Sequence, residues 1–195
     1  LTFTVTRVRG ASERVPADVP FPRGAPLRVK PILVFDAPAR QDQTSWRSYG
    51  GIHTLDAARE EAGRIEKELA ALKQQAEFPI QAHPVAVLDA QAKLKQLTVD
   101  DTDVCIVYAA GYCTEWPLKV PMIMFLRHRS GPFYLGLEIA NWRFLRQSGD
   151  VPAVPGFDAD DLVVDSQAEL LWRLRALYGV KNAKGTKMLT IGGLA

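Results

Sequence analysis

Val104-Cys105-Ile106-Val107-Tyr108-Ala109 is a run of apolar and aromatic side chains with neither helical spacing nor polar alternation. A strand with one face in water alternates apolar and polar residues, whereas a parallel strand covered on both faces reads as continuously apolar. This run is of the second kind, and it is not alone. Met122 to Leu126 repeats the pattern downstream, and Val29 to Phe35 and Ile80 to Leu88 repeat it upstream. Leu162 to Val164 and Lys187 to Ile191 supply shorter β-rich pieces towards the end.

Between these runs the period changes. Leu55, Ala58, Ala62, Ile65, Leu69, Leu72 and Ala76 recur at steps of three and four, one amphipathic helix capped by Thr54. Asp89 is expected to open a short helix. Ser130 and Pro132 offer a cap and an early helical proline for a helix reaching about Arg146. Ser166 and Glu169 form a capping box for a helix that Gly179 is expected to stop near Tyr178. Strands alternating with helices predict an α/β fold: a doubly wound, flavodoxin- or Rossmann-like, mainly parallel sheet with helices on both faces. One connection is strained, because residues 110–121 are barely the dozen or so that a parallel crossover needs, and Pro117 interrupts them. The expected organisation is an irregular, proline-containing arm over residues 1–26, a single α/β domain over 27–191, and the start of a further segment at 192–195.

Composition bounds the function. The chain has 195 residues, 47% of them hydrophobic and 24% charged, the balance of an ordinary globular domain. Its formal net charge of +2 gives no electrostatic footprint for a phosphate backbone, so nucleic acid is disfavoured as a partner. No run approaches the roughly 18 to 20 apolar residues that a bilayer span requires, so no membrane partner is expected. Cys105 and Cys113 match neither a metal spacing nor a small disulfide framework, which points to free thiols in a cytoplasmic, reducing compartment.

Several chemistries fail on spacing. No Gly-x-Gly-x-x-Gly follows a strand, and Gly185-Thr186-Lys187 precedes a strand where a phosphate loop must follow one. No Gly-x-Ser-x-Gly elbow is present. Asp158, Asp160, Asp161 and Glu169 imitate a calcium loop, but Val163 stands where glycine is needed, and the cluster reads as a solvated turn beside a helix cap. His53, His83 and His128 are too dispersed to pair on a metal.

In doubly wound sheets ligands sit beyond the carboxyl ends of the strands. The loops predicted there carry Trp46 and Arg47, then Tyr112 and Trp116, then Arg127, His128, Arg129 and Ser130. An aromatic face suits the C–H side of a sugar, and a guanidinium offers paired donors to hydroxyls. Arginines and an imidazole at a helix start would suit an anion or a polyol oxygen. Each has a plainer alternative: a Trp packed on its own core, an Arg paired with a nearby carboxylate.

Four blocks carry a family resemblance: Trp46-Arg47-x-x-Gly50-Gly51-Ile52; Tyr108-Ala109-Ala110-Gly111; Phe125-Leu126-Arg127-His128-Arg129-Ser130-Gly131-Pro132-x-Tyr134-Leu135; and Lys181-Asn182-x-x-Gly185-Thr186-Lys187 leading to Ile191-Gly192-Gly193. From about Pro31 onward the chain resembles the N-terminal half of L-fucose isomerase and L-arabinose isomerase-like proteins. The resemblance implies a substrate-recognition domain of a homo-oligomeric sugar isomerase that lends an arginine and a tryptophan to a neighbouring subunit's active site. Arg47 and Trp116 match those roles, the latter loosely because its loop is short. It also implies that aldose–ketose interconversion depends on manganese (Mn2+) held beyond Ala195, with no cofactor within this chain. The rival reading is a stand-alone sugar- or polyol-binding module without catalysis, and a third is an anion binder using the Arg127 to Ser130 helix start.

Overall fold

A computed structural model describes residues 24–47, 51–113, 116–139 and 159–186. The chain enters β1 at Leu27–Val34 and crosses through α1, Leu55–Gln75, to two short strands, β2 at Ile80–Ala82 and β3 at Ala86–Leu88. β4 (Val104–Ala109) and β5 (Met122–Leu126) follow, then α2 (Gly136–Ile139), β6 (Leu162–Val164) and α3 (Gln167–Ala183). Every strand pairing among the described residues is parallel. The order is β2-β1-β4-β5-β6, with β3 also on β1, so β2 and β3 together make one interrupted outer strand. This is the expected α/β sheet of the doubly wound kind.

The continuously apolar strands bury both faces by period two. Val104, Ile106 and Tyr108 of β4 and Ile123 and Phe125 of β5 pack towards α1 and α3. Cys105, Val107 and Ala109 with Met122, Met124 and Leu126 pack on the opposite side, under Leu94, Trp116, Leu118 and Leu137. α1 buries Ala58, Ala62, Ile65, Leu69 and Leu72, most of the stripe its spacing predicts, but Leu55 at its first turn is half exposed because it lies at the helix start, outside the core. The Thr54 hydroxyl accepts from the Ala57 N–H and begins the helix as expected.

Three local expectations are corrected. The turn after β3 is a 3-10 helix, Gln91–Gln96, preceded by Ala90 with no side-chain cap; Asp89 instead pairs with Lys93 at 2.5 Å. Helix α2 begins at Gly136 rather than at Ser130, because the Ser130 hydroxyl and N–H are both taken by Asp165. Gly179 does not stop α3, which runs to Ala183. A lone glycine costs a helix only about 1 kcal/mol, and the last turn is anchored from outside. Lys181 donates to the Pro26 carbonyl, Asn182 accepts from the Ala25 N–H at 2.8 Å, and Tyr178 accepts from the Gly24 N–H. The Ser166 cap itself is present, accepting from the Glu169 N–H. The described residues between β4 and β5 form no helix, so that tight crossover is a plain loop. Residues 1–23, the continuation towards Arg146, the strand Lys187–Ile191 and residues 192–195 lie outside the described residues.

Candidate functional site

Sequence neighbours across the sheet reverse direction at β1: the chain goes outward to β2 and β3, then returns to the other side of β1 with β4. In doubly wound sheets such a reversal is where connections diverge at the strands' carboxyl ends and ligands are taken. Asp36 and Gly111 meet at that end of β1 and β4. The Gly111 N–H donates to the Val34 carbonyl, and a Cβ on Gly111 would sit 2.6 Å from the Asp36 nitrogen, so only glycine fits. The Asp36 carboxylate then accepts the Tyr112 N–H at 2.6 Å, fixing the backbone that carries the exposed Tyr112 ring.

Ala110 is where three loops converge. The Leu135 N–H donates to its carbonyl, bringing the loop after β5 against the end of β4. Gly51, in the left-handed region at φ 84°, lies so close that a Cβ on it would be 3.7 Å from the same carbonyl, which brings in the loop after β1. Gly136 completes the approach, since a Cβ there would be 2.5 Å from the Ala109 carbonyl.

The loop after β5 is clamped on two sides. Outside, Asp165 adopts a left-handed φ of 58°, unusual for a residue other than glycine, at the end of β6. Its carboxylate accepts the N–H groups of His128 (2.9 Å), Arg129 (2.9 Å) and Ser130 (3.0 Å), and the Ser130 hydroxyl at 2.6 Å. Partial burial opposes its charge, but these donors win and hold its pKa down to about 2. Inside, Arg127 is fully buried. Its Nε donates to Glu61 at 2.6 Å and its Nη2 to Glu68 at 2.9 Å. The Tyr134 hydroxyl donates to the same Glu61 oxygen at 2.5 Å, and Gln167 donates to Glu68. Burial disfavours the Arg127 charge; the hydrogen bond to Glu68 and the charge of Glu61 more than offset it and raise its pKa above the ordinary range. Burial, reinforced by Glu61, pushes the Tyr134 phenol up.

The residues expected to bind a ligand are placed unequally. Arg47 is exposed and lies over the half-buried Trp46 ring, 5.2 Å from its centroid. His128 and Arg129 are exposed on the clamped loop, His128 edge-on to Phe133. Trp116 is half-buried on the second core and its indole N–H donates to the Val120 carbonyl at 2.9 Å, so that polar group is spent within its own loop. Arg127 takes the plainer alternative of ion pairing. The anion-binding reading loses its basis too, because no helix starts at Ser130 and the loop's N–H groups already serve Asp165. Among the described residues no group of three or more His, Cys, Asp or Glu is placed to hold a metal ion.

Sequence reasoning missed Asp36, Asp165, Glu61 and Glu68. Glu61 could have been found: it falls on the apolar stripe of α1, one turn from Ala58 and Ile65, where a carboxylate must have a buried partner. No family model, curated protein or solved structure matches the chain.

Proposed function

We propose that this chain is the substrate-recognition domain of a sugar isomerase of the L-fucose and L-arabinose isomerase-like kind, taking a polyhydroxylated small molecule at the carboxyl end of its sheet. The observation that supports this reading best is the convergence of three loops on Ala110, at the point where strand order reverses. The Arg47–Trp46 pair, Tyr112, His128 and Arg129 stand exposed on those loops or, for Trp46, half-exposed. In this reading Arg47 donates paired N–H groups to neighbouring hydroxyls, with Trp46 restricting its rotamers. Tyr112 offers its ring to the sugar's C–H face, and Trp116 contributes ring surface only. His128 and Arg129 reach outlying oxygens from a loop whose backbone Asp165 fixes.

Manganese does not fit the described residues, so no step of the interconversion is assigned to them. The reading places the metal and the enediol chemistry on residues C-terminal to this chain, in an oligomer whose subunits share their sites. Saturation-transfer NMR of the chain with L-fucose, L-arabinose and the corresponding alditols tests it. Transfer to the sugar C–H protons, lost in Arg47→Ala, is the expected result; an equal signal from both proteins, or none, would overturn the proposal. Turnover by the chain alone would overturn the division of labour.

A further inference from the structure

Helix α3 is apolar on two faces. Leu170, Leu171 and Leu174 are buried against the sheet. Ala168, Trp172, Ala176, Gly179, Val180 and Ala183 recur at steps of three and four on its outer side and are all exposed, Trp172 at 62% and Val180 at 54%. A surface helix ordinarily carries charge there, and a contiguous apolar stripe, unlike a single exposed side chain, calls for a partner. Beside Val180 a groove of about 360 Å3 opens, its apolar lining Leu27, Val120, Pro121 and Leu177 and its polar lining Thr102, the Lys181–Asp103 ion pair and the lysines Lys119 and Lys184.

We infer that this face joins two copies of the chain, their α3 helices antiparallel about a two-fold axis at Ala176. Three features select a second copy as the occupant. First, Trp172 and Val180 lie equally far from Ala176, about 6 Å along the axis in each direction. An antiparallel pair therefore sets Trp172 of each copy against Val180 of the partner subunit and the groove beside it, a bulky side chain facing a hollow. Second, Ala176 at the axis and Gly179 next to it are small enough for close helix contact. Third, charge divides between the two ends of the face: Asp160 and Glu169, the latter paired with Arg173, stand at the helix's amino end, and Lys184 with the neighbouring Lys119 stands at its carboxyl end, where Lys181 is paired with Asp103. The antiparallel arrangement opposes unlike ends, whereas a parallel one would oppose like ends. None of this depends on a ligand at the carboxyl end of the sheet.

Sedimentation velocity on the 195-residue chain across a range of concentrations tests it. The wild-type chain is expected to dimerise, and Trp172→Glu and Val180→Lys should each weaken the dimer at least ten-fold while leaving the far-UV circular dichroism and the melting temperature of the monomer unchanged. The double variant Trp172→Glu/Val180→Lys should restore association, because each new carboxylate then faces an ammonium across the axis. A wild-type chain that stays monomeric overturns the inference, whatever else covers the stripe, and so does a dimer indifferent to Trp172→Glu. Single variants that dissociate with no rescue in the double overturn the two-fold register.

Discussion

Arg127 stands at the join between sheet and helix, and its removal should be costly for a specific reason. Arg127→Met would leave Glu61, which is 2% exposed, with the partly exposed Arg64 at 3.1 Å from its other oxygen as the remaining cation, and would take Glu68's partner away as well. Breaking one side of a buried ion pair costs about 3 to 5 kcal/mol, so a large drop in urea midpoint is expected; a change under about 1 kcal/mol would contradict the network. Asp165 makes a pH prediction. Its folded pKa, about 2, lies below the ordinary aspartate value near 3.9. Its contribution is therefore complete above about pH 4 and is lost as pH falls through 4 towards 2. The stability gap between wild type and Asp165→Ala should be constant near neutrality and close across that acid window. Neither role was legible in Arg127-His128-Arg129-Ser130, since the partners lie 59 to 66 residues upstream for Arg127 and about 36 downstream for the backbone donors. A motif read locally sees two arginines at a helix start; the fold buries one and withholds the helix.

β4, β5 and β6 have the limits that their apolar runs predict; in β4 and β5 burial on both faces writes itself into consecutive residues, whereas β6 buries only Val163. α1 is as legible, through its stripe and Thr54. Helix ends were less so where a distant group decides them: Asp165 displaces the start of α2, and residues 24–26 carry α3 past Gly179. Glycines distinguish the two situations. Gly63 lies within α1, and a methyl added to it would meet nothing within 4 Å, so Gly63→Ala should stabilise the chain by about 0.5 to 1 kcal/mol through helix propensity. Gly136→Ala should instead destabilise it, since that methyl would lie 2.5 Å from the Ala109 carbonyl. Thermal melts of the two variants moving in the same direction would contradict the described packing.

At the scale of the whole molecule, the doubly wound parallel sheet was readable and directed attention to the loops at its strand ends, whereas the strand order and the convergence on Ala110 came only with the fold. The exposed side chains of those loops could be named because loops at strand ends carry few packing duties; the aspartates that hold the loops could not, as each acts on a backbone far away in sequence. Cys105 and Cys113 are buried thiols, and burial pushes Cys105 up to about 12. Both should resist a maleimide in the native chain and react fully once it is denatured without reductant; native labelling at the rate of free cysteine would argue against that core. The outer strand has a separate consequence. A long, straight sheet edge is a template on which other chains can add strands and grow into fibrils. Here that edge is two three-residue pieces separated by His83-Pro84-Val85, and proline offers no N–H to an incoming strand. Among the described residues this is the outer edge next to β1, and the break that divides β2 from β3 interrupts the template an incoming strand would need.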